Sequence, residues 1–228
     1  MNTITTIFET IKNEKRTALL EHEAKEILKE MQIPLPPSKL AQNEDEAIEA
    51  AKNFGFPVVM KVMSPQVLHK TDSKAVIINI QTEDEVKAVF EDFKKRFENV
   101  SVAGILVEKM VKPGIELIVG SQIDKTFGPV ILVGPGGVFV EALKDVVFRM
   151  CPTTKDAALN AINEIKTQKL FDGFRGMAKV DKDKLADLIV KLSELAWQYK
   201  DYIAEMDINP IIANEDGLYP VDARIILV

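Results

Sequence analysis

The stretch from Gly104 to Gly134 limits the fold most. GILVEKM (104–110), IELIVGSQI (115–123) and PVILVG (129–134) read as three strands with only short turns between them. A connection of a few residues cannot carry a parallel crossover, so strands that are joined this way pair antiparallel or part into separate sheets. Elsewhere the spacing is helical. From Glu14 to Met31, Leu20, Ala24, Ile27, Leu28 and Met31 repeat at that spacing until Ile33-Pro34-Leu35-Pro36-Pro37 stops the pattern. Asn43 with Glu46, and Thr82 with Glu85, are helix-start pairs. The second opens a stripe of Val86, Val89, Phe90, Phe93 and Phe97 that reads as core. PVVMKV (57–62) and AVIINIQ (75–81) add strands, and helices follow near 154–166 and 181–200. MDINPIIA and LYPVDARIIL then flank a turn at Asn214-Glu215-Asp216-Gly217, which predicts a closing hairpin. The fold class is α+β with mixed or antiparallel sheets.

The chain has 228 residues, room for one large domain or two small ones. KMVKPG (109–114) is the expected hinge, because a Pro-Gly step parts two strands there. The expected division is a weakly patterned arm over 1–14, a first lobe over 15–110 and a second over 111–228. A formal net charge of −6 argues against a nucleic-acid-coating protein, although one local pocket can still be positive. The single cysteine, Cys151, excludes an intrachain disulfide and a Cys-based zinc site. The N-terminus lacks a basic segment followed by an apolar one, and the longest uncharged run, Thr126–Val140, is broken by four glycines and two prolines. A bilayer span needs about 20 apolar residues. The expectation is a cytoplasmic protein without a membrane or nucleic-acid partner.

Several residues carry potential chemistry. Lys61 stands inside an apolar strand, so it either points outward or brings its ammonium to a carboxylate or a phosphate. His69 lies in the loop SPQVLHKTDSK (64–74), where an imidazole either is an ordinary polar residue or accepts a phosphoryl group. His22, in the first helical pattern, reads as structural. Asp207 and Asn209 are two apart in DINP and share a strand face; Asp222, across the turn, can complete a set of hard oxygen donors suited to magnesium. Arg224 can serve there as a phosphate clamp. A hairpin with a polar solvent face is the alternative. GPGG (134–137) is either a turn that needs positive φ or a close backbone approach to a phosphate or a partner chain.

Taken together, PVVMKVMSPQVLHKTD, VEKMVKPGIELIVGSQIDKTFGPVILVGPGGVFVEALKDVVFRM and AEMDINPIIA…YPVDARIIL resemble the β subunit of ADP-forming acetyl-CoA synthetase, an acyl-CoA synthetase of the ATP-grasp class related to succinyl-CoA synthetase. The resemblance runs from about Lys15 to the end, with the motifs in the family's order. It implies two α+β lobes clamping ATP or ADP, with Lys61 on the phosphates. Glu108, Lys109, Met110 and Val111 would read adenine, partly through backbone groups, and Glu116 would lie near the ribose. Asp207, Asn209 and Asp222 would bind Mg2+, with Arg224 beside them. His69, in the family's HK[ST]D motif, would carry the phosphoryl group between a histidine of the α subunit and ADP. Where the family usually has a glycine pair, this chain has Ser73-Lys74-Ala75, and Ser73 and Lys74 are counted with the nucleotide loop. The CoA-binding and ligase domains would belong to an α subunit, in an α2β2 heterotetramer. The implied reaction is acyl-CoA + ADP + phosphate ⇌ acid + ATP + CoA. The competing readings are a nucleotide-sensing module without turnover and a different ATP-grasp carboxylate ligase.

Overall fold

A computed structural model describes residues 3–67, 73–137, 145–173 and 178–228. The chain divides into two units, the smaller comprising 20–22 and 36–111 and the larger 1–19, 23–35 and 112–228.

The smaller unit is built on a four-stranded antiparallel sheet. Its strands are β1 (Ser38–Ala41), β2 (Val58–Met63), β3 (Val76–Ile80) and β4 (Gly104–Lys109), in the order β1-β4-β2-β3. Helices α3 (Glu44–Phe54) and α4 (Glu83–Arg96) cover one face. Both begin as the sequence predicts. Glu46 N–H donates to Asn43 Oδ1 at 2.9 Å and Glu85 N–H to Thr82 Oγ1 at 3.2 Å, so each cap satisfies an end donor that the helix itself cannot. Val58, Met60 and Val62 of β2 and Ile105 and Val107 of β4 meet Val86 and Phe93 of α4 in the core of this unit. By the alternation of strand side chains, Val59, Lys61 and Met63 occupy the opposite face with Leu106 and Glu108.

In the larger unit, β5 (Ile115–Asp124), β6 (Gly128–Pro135), β7 (Val147–Met150), β8 (Ile203–Asn214) and β10 (Arg224–Leu227) lie in the order β10-β8-β5-β6-β7, and β9 (Gly217–Pro220) pairs with the far end of β8. Leu117, Val119, Ile131, Met206, Ile208 and Ile225 turn to the core, against helices α5 (Lys155–Glu164) and α6 (Lys182–Gln198). The closing strands are thus more than one hairpin. β9 returns along the end of β8, and β10 pairs with its beginning, Arg224 opposite Asp207.

Residues 3–13, expected as an arm, form helix α1 (Thr3–Asn13). Ile4, Phe8 and Ile11 are buried in the larger unit's core, where the Phe8 ring lies 5.4 Å from Tyr199 and 5.2 Å from Tyr202. Four β-branched threonines weaken the helix propensity of this segment, and burial of one apolar face outweighs them. Helix α2 (Glu21–Glu30) starts later than the sequence pattern, which ran from Glu14; a bridge from Ala18 to Ile226 precedes it.

Candidate functional site

The first cluster belongs to the smaller unit. Lys61 is buried, at 6 % exposure, and does not point outward. Its Nζ donates to Glu21 Oε1 at 2.6 Å and to Glu108 Oε1 at 3.1 Å. Glu21 is the first residue of α2, and Glu108 stands on β4 one pleat from Leu106, the residue opposite Lys61. A buried ammonium is stable only where carboxylates or ligand oxygens compensate for lost water, and here two carboxylates do so. Glu108, expected to read adenine, lies within strand β4, and its carboxylate accepts from the Lys61 ammonium. The Lys109 ammonium bonds Gly55 O at 2.9 Å and Phe56 O at 3.0 Å, while its N–H donates to Pro37 O at 2.9 Å. Met110 N–H donates to Pro57 O at 3.1 Å. These bonds fix the strand end that leads through Met110 and Val111 to the boundary between the two units at 111/112. Ser73 and Lys74 are exposed at the start of the β3 approach, and Lys74 takes φ +52°, a left-handed conformation that favours glycine. His69 lies outside the described residues.

The second cluster belongs to the larger unit. Asp207 sits on β8, opposite Gly120 of β5 and Arg224 of β10, on the sheet face turned away from the core. Between Ile208 and Ile211 a bulge places both Asn209 and Pro210 against the single residue Ile118. Asn209 therefore does not follow the simple two-residue alternation; its Oδ1 accepts the Gly137 N–H at 3.1 Å. Asp222 lies in the segment between β9 and β10, held by the Val221 N–H to Pro210 O bond of 3.1 Å. Lys25 of α2, a buried residue without a sequence signal, also donates to Val221 O at 3.2 Å. Burial, followed by the like charges of Asp222 and Glu205, pushes the Asp207 carboxyl up to about 6, partly opposed by Arg224. Asp207 Oδ1 is buried without a hydrogen-bond partner among the described residues.

That orphaned oxygen tests whether the residues fit a divalent cation. A buried carboxylate oxygen with no donor, next to a second carboxylate, is a poor arrangement for an empty protein and a good one for a hard cation. Asn209, two residues further along β8, offers an amide oxygen as a further hard donor. Among the described residues no three His, Cys, Asp or Glu side chains gather as a metal group, so Asn209 is needed and the rest of a cation's shell falls to ligand oxygens and water.

Gly136 and Gly137 connect this cluster to Glu116. Gly136 N–H donates to Glu116 O at 2.7 Å, and a Cβ on Gly136 would meet the Leu117 backbone at 2.5 Å. Gly137, at φ +58°, leaves no room for a Cβ beside the Glu116 carboxylate. The turn reading of GPGG is met at Gly137, whose φ is positive, and the backbone there closely approaches β5 and Asn209 of the same chain. The half-buried Glu116 shares the open sheet face, two pleats from Gly120.

The sequence reading missed Glu21. A glutamate in the first turn of a helix reads as an ordinary solvated helix start; only the 2.6 Å contact in the folded chain shows that it faces Lys61.

An α+β chain with an antiparallel sheet in each unit, one holding a buried strand lysine and the other a carboxylate–amide cluster, has the architecture of a nucleotide-binding ligase domain. The chain belongs to the ATP-grasp domain family, which matches residues 10–227. Within it, the chain groups with the β subunits of ADP-forming acetate–CoA ligases. It is 46 % identical over 225 residues to subunit beta of the ADP-forming acetate–CoA ligase I of Pyrococcus furiosus, covering 97 % of this chain and 96 % of that one. It is also 46 % identical over 215 residues to the ADP-forming 4-hydroxybutyrate–CoA ligase of Nitrosopumilus maritimus, covering 92 % of this chain and 31 % of that protein. The chain therefore spans about a third of the length of the latter. Among solved structures, an acetyl-coenzyme A synthetase of Ca. Korarchaeum cryptofilum in complex with coenzyme A matches with a TM-score of 0.94 at 41 % identity, over 99 % of this chain and 100 % of that one. Another form of that organism's enzyme is described with coenzyme A and Mg-AMPPCP and with a phosphohistidine segment pointing towards the nucleotide binding site. It matches with a TM-score of 0.86 at 40 % identity, over 99 % and 100 %. Among the described residues no helix is long and apolar enough to cross a membrane.

Proposed function

We propose that this chain is the nucleotide-handling subunit of a cytoplasmic ADP-forming acid–CoA ligase, which catalyses acyl-CoA + ADP + phosphate ⇌ acid + ATP + CoA. The observation that carries the reading is Asp207, whose buried oxygen has no donor among the described residues, with the like charge of Asp222 near it. Asp207, Asn209 and Asp222 hold Mg2+, which neutralises charge on the nucleotide's phosphates when bound. Lys61 contacts those phosphates from its own cluster, and Arg224 adds a guanidinium for a phosphate oxygen. Ser73 and Lys74 flank the phosphate loop. The carboxylate of Glu116 accepts ribose hydroxyls, and Glu108, Lys109, Met110 and Val111 frame the adenine, with backbone groups reading its edge. His69 takes the phosphoryl group from a histidine of an α subunit and passes it to ADP. That α subunit brings the CoA-binding and ligase domains, in an α2β2 assembly.

The test is phosphate transfer from γ-labelled ATP with Mg2+ to the chain together with its α subunit, alongside His69→Ala. Acid-labile, alkali-stable label on this chain that disappears in the variant supports the carrier role. Label on the α subunit alone, with turnover intact in His69→Ala, rejects it. Absence of nucleotide binding rejects the whole reading.

A further inference from the structure

Of the three residues read as the Mg2+ set, Asp222 is the one that no strand carries. Asp207 and Asn209 stand on β8. Asp222 lies in the short segment between Pro220, which ends β9, and Arg224, which opens β10. Each residue of that segment is held. Val221 N–H donates to Pro210 O at 3.1 Å, and Ala223 N–H donates to Asp222 Oδ1 at 2.9 Å. A further bond comes from elsewhere in the chain: Lys25 Nζ of α2, 196 residues earlier, donates to Val221 O at 3.2 Å.

The place of this bond matters. Val221 O, Asp222 N and Asp222 Cα share one peptide plane, so a donor on that oxygen fixes the plane from which the Asp222 side chain springs. The donor is itself fixed. Lys25 is 3 % exposed, and Ala24, Ile27 and Leu28 of the same helix are fully buried in the larger unit's core. Just before the helix, Leu19 N–H donates to Ile225 O at 2.9 Å, which ties this part of the chain to β10. A lysine is an expensive residue for such a position, because its ammonium gives up water on burial and an apolar side chain would pack at less cost. A rigid donor that acts on the peptide before a ligand carboxylate is how groups outside the coordination shell orient metal ligands.

We propose that Lys25 is a positioning residue for the divalent-cation site: its ammonium holds the Val221 carbonyl and thereby keeps the Asp222 carboxylate set for the cation. The inference rests on the reading of Asp207, Asn209 and Asp222 as the Mg2+ set, and Lys25 acts through Asp222 rather than on the nucleotide. Its loss therefore raises the Mg2+ concentration that nucleotide binding needs and leaves the cation-independent part of that binding as it was. A lysine that served only the packing of α2 would change stability alone.

The experiment is calorimetric titration of the full chain with ADP, at a series of MgCl2 concentrations and in EDTA, for wild type and Lys25→Met. Methionine keeps most of the side chain's length and removes its donors. Lys25→Met is expected to need roughly tenfold more Mg2+ for half of the cation-dependent gain in affinity. Saturating MgCl2 then restores wild-type affinity, and affinity in EDTA equals that of wild type. An unchanged Mg2+ requirement in the folded variant overturns the proposal, and so does an equal loss of affinity in EDTA, which marks a general loosening of the site. A cycle with Asp222→Ala tests the route. In that background Lys25→Met is expected to shift the Mg2+ requirement by less than about twofold, and a full second loss overturns action through Asp222. Should Lys25→Met not fold, Lys25→Gln decides, since its amide donor stops one bond short. About a threefold rise in the Mg2+ requirement is expected there, and no rise overturns the proposal. The wild-type titration keeps the two readings apart. Equal affinity for ADP in MgCl2 and in EDTA removes the Mg2+ reading itself, whereas a Mg2+-dependent wild type with unmoved variants removes only the role of Lys25.

Discussion

The two candidate clusters are opposite in electrostatic character. Around Lys61 the charged atoms are buried and paired, the ammonium lying between the carboxylates of Glu21 and Glu108. Around Asp207 two carboxylates stand near each other, one oxygen has no donor among the described residues, and the carboxyl rises to about 6. The first cluster is formed by the protein with its own groups; the second is left short of positive charge. The difference predicts that removing the central residue changes stability in opposite directions in the two clusters.

The largest effect is expected at Lys61. Lys61→Met leaves Glu21 and Glu108 buried against each other without their ammonium, a loss of about 3–5 kcal/mol. Urea unfolding should show a lower midpoint at an unchanged slope, which reports stability without a change in the surface exposed. A deficit below about 1 kcal/mol at neutral pH would mean that solvent screens this trio as it screens a surface pair, and the contrast between the clusters would disappear.

Asp207→Asn should act with the opposite sign in the metal-free chain. The folded carboxyl holds its proton up to about pH 6, while the unfolded one releases it in the ordinary carboxylate range. Folding therefore gains from this group at pH below that ordinary range, and the gain is lost as pH rises through 6. Asp207 is part-exposed, so the amount is about 1–2 kcal/mol after allowance for solvent screening. Above pH 6 the asparagine variant should melt higher than wild type, and below pH 4 the two should converge. Added MgCl2 should raise the wild-type melting temperature and leave the variant nearly unchanged, because a ligand stabilises only the state that binds it. A pH-independent difference between the two proteins would break the assignment of strain to this carboxyl.

These contrasts also separate what the sequence makes legible from what it does not. Both cap pairs, Asn43–Glu46 and Thr82–Glu85, and the Phe stripe of α4 follow from local spacing, and the structure shows them so. Antiparallel pairing follows from short connections. Helix α1 does not, because threonines dilute its apolar positions and its stability comes from Tyr199 and Tyr202, nearly two hundred residues away. At the sites, the same division holds. Asp207 is visible as a spaced carboxylate, but the bulge that turns Asn209 towards Gly137 depends on the partner strand. Lys61 is conspicuous as a charge in an apolar strand, and the motif resemblance gives it a role. Its partner Glu21 lies 40 residues earlier, in a helix start that resembles many others. Local chemistry leaves marks in sequence; the long-range partner of a buried charge leaves none.

The smallest effect concerns the loop before β3. Lys74 adopts φ +52° in an exposed turn, and its carbonyl accepts from Arg96 Nη1 at 2.9 Å. A left-handed lysine costs about 1–2 kcal/mol relative to an ordinary conformation, and glycine returns part of that gain through its freer unfolded chain. Lys74→Gly should therefore stabilise the chain by about 0.5 kcal/mol, detectable as a small rise in the urea midpoint. Nucleotide affinity separates the two roles that this residue can have. If the Lys74 ammonium contributes to phosphate binding, Lys74→Gly weakens Mg·ATP binding a few-fold at low salt, and the deficit fades as salt screens it. Unchanged affinity with the small gain in stability would assign to Lys74 only the left-handed turn.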